Sequence, residues 1–317
     1  MAHLVESMAY VGPEPWHGLG SPLPANQPIE VWQKAAGMDW EIKEAEVLYS
    51  VADVGVHVKP FTDSKVLYRS DTLAPLSVVS NRYKVVQPRE VLEFYRDLVS
   101  AGGFELETAG VLKQGRKLWA LAKTGQETTL KGGDRVKAYL LLATSCDGTL
   151  ATTAQFTSVR VVCNNTLQLA VGDRAGAVRV PHSTKFDPAA VKQELGLGFT
   201  AWNNFMTSIR AMSERKVNKF EAMNFMVDVL GDRGVPLNQQ PNQKALQAVH
   251  NLFAGAGKGS GLPAASGTAW GLVNAITEYV DHERRARSQD YRLDSAWFGQ
   301  GAQIKGRALE MALQLVT

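Results

Sequence analysis

Lys113-Gln114-Gly115-Arg116-Lys117 crowds three cations around one glycine, between two apolar stretches that read as the arms of a hairpin. Lys and Arg clustered on a turn are suited to the phosphates of a nucleic-acid backbone, an attraction that is independent of sequence. A solvated hairpin tip has the same composition, and both readings stay open. Arg82 and Lys84 flank Tyr83, and His182 and Lys185 follow a Val-Arg-Val-Pro segment, so both stretches can add donors to the same polyanion. Arg160, Asn164, Asn165 and Gln168 form a further polar row, and Tyr83 or Trp119 could stack on a base.

Other chemistry finds less footing. His17, in Trp16-His17-Gly18-Leu19-Gly20, and His182 and His282 are the imidazoles available for acid–base work. Glu278 and His282 lie one turn apart but lack the third ligand of a metal site. Ala254 to Gly261 resembles a phosphate loop only superficially. Gly259 separates Lys258 from Ser260, and Leu252 stands where the first glycine belongs. A flexible linker is the expectation there. The chain has no Gly-x-Ser-x-Gly, no His-Glu-x-x-His and no dinucleotide fingerprint, and its carboxylates are scattered. Cys146 and Cys163, the only cysteines, have no metal-ligand spacing and read as small buried hydrophobes. The balance points away from an enzyme and to no cofactor, with an acid–base enzyme acting on nucleic acid or a nucleotide as one alternative.

The elements that must hold these residues follow from periodicity. Ala138 to Ala143 is an apolar run, Asp147-Gly148 a turn, and Thr149 to Thr157 an alternating segment that pairs back. From Val159 to Ala170 the pattern is ambiguous. Val159, Val161 and Cys163 alternate, whereas Val159, Val162, Cys163, Leu167 and Ala170 recur at three and four. The helical spacing persists longer, so a helix is expected, with Arg160, Asn164 and Gln168 on its polar face. Upstream, residues 1–28 are rich in Pro and Gly and predict a loop or arm, with Trp16 and His17 available to anchor it on a neighbouring subunit. A helix is expected over IEVWQKAAG, strands over Ile42–Val58, Lys65–Ser70, Pro75–Ser80 and Tyr83–Val86, and one helix from Pro88 to Gly102-Gly103. After Asp187-Pro188, an N-cap followed by a first-turn proline, the pattern turns helical to the end of the chain. Its Phe, Trp and Met residues recur at helical spacing, which is the mark of packing. The expected organisation is an arm over 1–28, an α+β core over 29–187 and a mainly helical region over 188–317.

Composition sets outer limits. Forty-five per cent hydrophobic and 21 per cent charged residues describe a folded globular chain. The net charge of +3 is too small to imply nucleic acid by itself, so charge placement must decide. No apolar run is long enough to cross a bilayer and MAHLVESMAY lacks secretory order, so a cytoplasmic location with no membrane partner is expected.

Three segments together carry a resemblance. Trp16-His17-Gly18-Leu19-Gly20, Arg160-Val161-Val162-Cys163-Asn164-Asn165-Thr166-Leu167, and Gly267-Thr268-Ala269-Trp270 through Asp281-His282 resemble, in the same order, the phage- and plasmid-like proteins of domain of unknown function 932. That resemblance implies a phage or mobile-element setting in a bacterial host. The order helix, strands, hairpin and crossing helix is also similar to the β-β-β-α core of single-strand annealing recombinases such as Red-beta and Erf proteins. Those proteins form rings or filaments and hold single-stranded DNA by its backbone. The resemblance therefore implies an α+β fold, an antiparallel sheet with crossing helices, in a homo-oligomer. With the placement of donors read above, the leading expectation is a single-stranded DNA-binding protein that assists strand annealing, with Arg82, Lys84, Lys113, Arg116, Lys117, Arg160, Asn164, Asn165, His182 and Lys185 on the strand. A structural, homo-oligomeric interaction module is the second alternative.

Overall fold

The computed structural model describes residues 5–15, 17–51, 57–162, 165–168, 177–196 and 198–317. Its centre is a meander of four long antiparallel strands, β6 (Glu105–Leu112), β7 (Lys117–Leu130), β8 (Asp134–Ser145) and β9 (Thr152–Arg160). On one side β1 (Val5–Val11) pairs with β6, and β2 (Ser21–Leu23) lies parallel to β1. On the other side β10 (Asn165–Gln168) pairs with the end of β9 and β11 (Ala177–Val180) with its beginning. A second, three-stranded antiparallel sheet holds β3 (Ile42–Val51), β4 (His57–Arg69) and β5 (Pro75–Ser80). The fold is thus α+β, with a mixed sheet, an antiparallel sheet and C-terminal helices.

Side chains alternate across a strand, so register sorts the residues of the meander onto two faces. Trp119, Leu121, Leu141, Ala143, Thr153 and Gln155 share one face. Trp297, in α9 (Gln289–Phe298), closes on it edge to face, 4.9 Å from Trp119. The other face carries Ala120, Leu140, Leu142 and Ala154, all buried. Pro88 to Gly102 is two helices, α2 (Pro88–Glu93) and α3 (Arg96–Gly102), in place of the single one expected. α2 packs on β7 and β8. At the break Phe94 and Tyr95 are fully buried, and the Tyr95 hydroxyl lies 2.9 and 3.0 Å from the carbonyls of Ala120 and Leu140. A buried phenol needs such a partner, and a break that aims the ring inward supplies it.

The other helices are α1 (Ile29–Ala35), α4 (Pro188–Leu195), α5 (Gly198–Glu214), α6 (Lys219–Leu230), α7 (Gln243–Asn251), α8 (Ala269–Glu278) and α10 (Gln300–Gln314). The expected caps hold. Asp187 accepts from the N–H groups of Ala189 and Ala190, and Thr268 from that of Gly271. Wide π-helical turns extend α7 over Leu252–Ala256 and α8 over Tyr279–Glu283.

Several expectations are corrected. The helix expected from Val159 is instead the end of β9 and, over Asn165–Gln168, β10, so Arg160 and Gln168 do not share a helical face, and Asn164 lies outside the described residues. Thr157, Val159, Val161 and Val162 are β-branched or flanked by β-branched neighbours, and such side chains fit a strand better than a helix. β9 also has partners on both sides, and these ladder bonds outweigh a local apolar spacing. The arm over 1–28 contains β1 and β2, which extend the large sheet. Tyr83–Val86 forms no strand.

Nor is 254–261 a free linker. The Arg160 guanidinium donates to the carbonyls of Lys258 and Gly259 at 3.3 and 3.0 Å. The Lys258 N–H lies 3.0 and 3.1 Å from the two carboxylate oxygens of Glu278. Gly259 has φ +69°, and a Cβ there would stand 2.7 Å from Val162 Cγ1, so this position needs glycine on both counts.

Candidate functional site

The basic residues singled out from the sequence divide into three groups. Lys117 and Arg160 are buried and neutralised. Arg160 is 2% exposed, and its Nε lies 2.8 and 3.0 Å from the carboxylate oxygens of Asp134, to which Trp270 also donates at 3.2 Å. Lys117 Nζ is 2.8 Å from Asp294 of α9 and 5.3 Å from the centre of the Phe298 ring. Burial pushes its ammonium pKa below the usual lysine range, against the opposing pull of Asp294. Lys113 reaches the same carboxylate at 3.3 Å. The hairpin tip is therefore a clasp on α9 rather than a free finger, and neither Lys117 nor Arg160 faces a groove. The tip is held by close packing as well, since a Cβ on Gly115 (φ +100°) would stand 2.9 Å from the Trp40 ring.

The second group is exposed. Arg82, Lys84, Arg116 and Lys185 reach solvent, and none is in an ion pair with a described residue. Hydrogen bonds gather their backbones around the turn that joins β8 to β9. The Tyr83 hydroxyl donates to Ser145 O at 2.6 Å, and Cys146 N–H donates to Arg116 O at 2.9 Å. Lys84 N–H donates to His182 O at 2.6 Å. The His182 ring stacks on Tyr83 at 4.3 Å, with Nδ1 3.2 Å from Lys84 O and Nε2 3.0 Å from Leu150 O. Both of its nitrogens are thus engaged by the backbone, and the imidazole serves as a bracket between 82–84 and the turn.

The third group is Asn164 and Trp16, which lie outside the described residues, with Asn165, placed in β10 opposite Arg160. His17 is buried in its own chain and its Nδ1 accepts the Leu19 N–H at 3.2 Å, so it is not presented to a neighbouring subunit. Burial lowers its pKa to about 4. Trp119 is buried and cannot stack on a base, and Tyr83 is already covered by His182. Burial also pushes the Cys146 thiol up to about 12, which keeps it protonated at neutral pH, and Cys163 lies outside the described residues.

Beside the β8–β9 turn opens a cleft of about 570 Å³ between the sheet and α10. Its floor is Leu141, Ala143, Thr153 and Gln155, all on the face that looks toward α9. Phe298, Gln303, Gly306, Arg307 and Glu310 form the helical wall, and Thr149, Leu150 and Arg179 the lip. Arg179 and Arg307 are exposed, and neither is in an ion pair with a described residue. Leu150, to which His182 is bonded, belongs to both the lip and the basic cluster, so cluster and cleft form one continuous region. Amides, hydroxyls and two guanidiniums, with the Glu310 carboxylate as the one acid in the lining, over a floor of two apolar and two polar side chains suit a ligand with both anionic and hydrogen-bonding groups.

The sequence reading missed this cleft, although half of it left a trace. Gln303, Gly306, Arg307 and Glu310 recur at three and four, a single helical face without a large apolar residue. Gln155 and Arg179 leave no such mark, because β9 and β11 become neighbours only through long-range pairing.

Among the described residues no cluster of three metal-ligating side chains occurs, and no helix is long and apolar enough to cross a membrane. Residues 75–297 match the family model described as Domain of unknown function (DUF932). The match starts at β5 and ends inside α9, and so takes in the meander, the β8–β9 turn and the Arg160 junction. No curated protein and no solved structure matches the chain.

Proposed function

We propose, from the premise that the chain belongs to the DUF932 family, that it is an ATP-independent single-stranded DNA-binding protein. In this reading it assists strand annealing or recombination for a phage or mobile element, in the cytoplasm of a bacterial host. The observation that carries the reading is a set of exposed cations, none in an ion pair with a described residue: Arg82, Lys84, Arg116 and Lys185 around the β8–β9 turn, and Arg179 and Arg307 in the cleft beside it. Cations left unpaired at a surface are available to replace the counterions of a nucleic-acid backbone. A strand held by its phosphates keeps its base edges free, which is what annealing requires.

Fluorescence anisotropy of a labelled oligonucleotide tests it. Non-specific binding of this kind falls at about 10⁻⁴–10⁻⁶ M and weakens steeply with salt. No binding at about 100 μM protein in low salt would remove the reading. If binding is found, faster pairing of two complementary labelled strands in the presence of protein tests the annealing step.

A structural role in self-assembly has its own observation. Strands β3 and β4 present Leu48, Tyr49, Val58 and Phe61, and β5 adds Val78, all exposed, with Leu48, Val58 and Val78 more than half so. β3 is also an edge strand, with β4 its single strand neighbour. A second copy of this chain is the occupant proposed for these strands, because an unpaired edge flanked by apolar side chains is a template for strand pairing between like molecules. Light scattering tests this: Leu48→Lys with Val58→Lys should reduce the mass to that of one chain, and an unchanged oligomer would reject it.

A further inference from the structure

A second concave surface lies on the far side of α10. A cavity of about 860 Å³ is lined by Arg284, Arg285, Arg287 and Arg292, with Tyr291 and Ser295, and no carboxylate lines it. None of the four arginines is in an ion pair with a described residue. Arg284 is steadied by neutral partners alone, its Nη1 donating to Ser295 Oγ at 3.1 Å and its Nη2 to Gln300 Oε1. Arg292 donates through Nη1 to the His282 carbonyl, while its Nε is buried without a hydrogen-bond partner. Arg287 stacks over the Tyr291 ring at 5.6 Å. The nearest acids do not offset the charge from inside the cavity. Asp290 is buried in the first turn of α9 and takes the Ser288 hydroxyl, and Glu283 points to solvent outside the lining.

This cavity is not isolated. A smaller one of about 390 Å³ lies between the two and includes Arg284, Gln300, Gln303 and Arg307 in its wall. Gln303 and Arg307 also line the first cleft, and Arg284 also lines the arginine cavity. The three therefore join into one track that crosses α10, along which the guanidiniums follow in the order Arg179, Arg307, Arg284, then Arg285, Arg287 and Arg292. A compact anion would need one of these stations. A series of them suits a polymer with an anionic group at every repeat. Guanidinium forks match phosphate geometry, and Tyr291, whose ring already carries Arg287, stands partly exposed among them. Tyr291 is also the one large exposed hydrophobic residue in this cluster, so the surface lacks the apolar belt that lipid insertion uses.

We propose that this track is the path of a single strand of nucleic acid, which enters at the cleft beside the β8–β9 turn and continues over α10 into the arginine cavity. The proposal rests on the single-strand-binding reading above and extends it to a second site. It requires that affinity grow with oligonucleotide length until both sites are filled, and that the growth depend on Arg285 and Arg287.

The test compares the full chain, Arg285→Ala/Arg287→Ala and Arg179→Ala/Arg307→Ala on a ladder of labelled oligo-dT lengths at several salt concentrations. The track predicts that Arg285→Ala/Arg287→Ala binds short strands like the parent but no longer gains from longer ones. Its slope of log affinity against log salt on long strands should fall by roughly 1.4, about 0.7 for each lost phosphate contact. If long strands bind this variant as they bind the parent, while Arg179→Ala/Arg307→Ala still weakens binding, the track is wrong and the cleft reading survives. If the parent binds no oligonucleotide at all, both fall together. If Arg285→Ala/Arg287→Ala abolishes capture by phosphatidylglycerol vesicles or polyglutamate but leaves DNA binding intact, the cavity is an anion site for another class of partner and the strand path is overturned.

Discussion

Arg160 and Arg307 are both guanidiniums beside the large sheet, yet the molecule uses them in opposite ways. Arg160 is 2% exposed, faces Asp134 and ties down the carbonyls of Lys258 and Gly259, so it joins the end of β9 to the chain that leads into α8. Arg307 stands exposed on α10, lines two cavities and is in no ion pair with a described residue. The first is a junction and the second a docking point. What separates them is the counter-charge within reach and the water around them, neither of which is a property of the residue type. Lys117 belongs with Arg160 in this contrast, and Arg179 with Arg307.

The largest effect that could break the comparison is loss of the junction. Arg160→Ala would leave the Asp134 carboxylate buried without its guanidinium, with the Trp270 Nε1–H still donating to it at 3.2 Å. Removing one partner of a buried pair costs about 3–5 kcal/mol. Thermal unfolding should show a marked fall in Tm, and Arg160→Ala/Asp134→Ala should lose less than the two single changes together. A parent-like Tm for Arg160→Ala with weakened oligonucleotide binding would instead move Arg160 into the docking class.

His17 supplies a pH-dependent counterpart. Burial lowers its pKa from 6.5 to about 4, so the folded chain binds fewer protons there than the unfolded chain between those values. Its contribution is fully present above about pH 6.5 and is lost as pH falls toward 4, with a total of about 3 kcal/mol. The difference in stability between the parent and His17→Gln, followed by denaturant titration from pH 7.5 to 4.5, should shrink as pH falls. A pH-independent difference would show that the imidazole titrates normally.

The same contrast explains how much could be read beforehand. The β8–β9 hairpin, the caps at Asp187 and Thr268 and the helical second half are local patterns, and turn chemistry or apolar period announces them. The stretch from Val159 misled because a three-and-four spacing is a local pattern, whereas the pairing of β9 with β8 and β10 that decides the outcome over its described residues is not. Lys113, Arg116 and Lys117 were recognisable as a hairpin tip, but Asp294 lies 177 residues beyond Lys117 in the chain, and no local feature links it to the tip. Arg82, Lys84 and Lys185 are at the surface, and among the described residues no carboxylate forms an ion pair with them. The cleft itself was half legible, through the Gln303–Arg307–Glu310 face, and half hidden in sheet pairing.

If Arg179 and Arg307 are docking points, their removal should leave stability within about 0.5 kcal/mol, as for surface positions without partners. Oligonucleotide affinity at low salt should fall about tenfold or more, since each lost backbone contact also removes counterion release. Anisotropy and thermal unfolding on the same preparation check both halves. A falling Tm with unchanged affinity would reverse the assignment and place these arginines with Arg160.

Asp147 gives the smallest and most pointed prediction. Its carboxylate sits in the turn at the centre of the basic cluster, where it accepts the Thr149 hydroxyl at 2.6 Å and the Thr149 N–H at 3.0 Å. Burial alone would raise its pKa, but the Thr149 bonds, a Ser145 hydroxyl and the charge of Lys113 together hold it below the usual carboxylate range. It therefore remains an anion wherever the cations around it are charged, and it opposes any phosphate they attract. An anion roughly 8 Å from a bound phosphate, at an effective dielectric between 40 and 80, costs about 0.5–1 kcal/mol. Asp147→Asn keeps an oxygen to accept from Thr149 and removes the charge. Affinity for the oligonucleotide should rise about two- to fivefold, and the gain should fade as salt screens it. A neutral or weakened Asp147→Asn would mean that the strand does not pass over the β8–β9 turn, and the exposed cations there would rejoin the residues whose charge the fold merely tolerates.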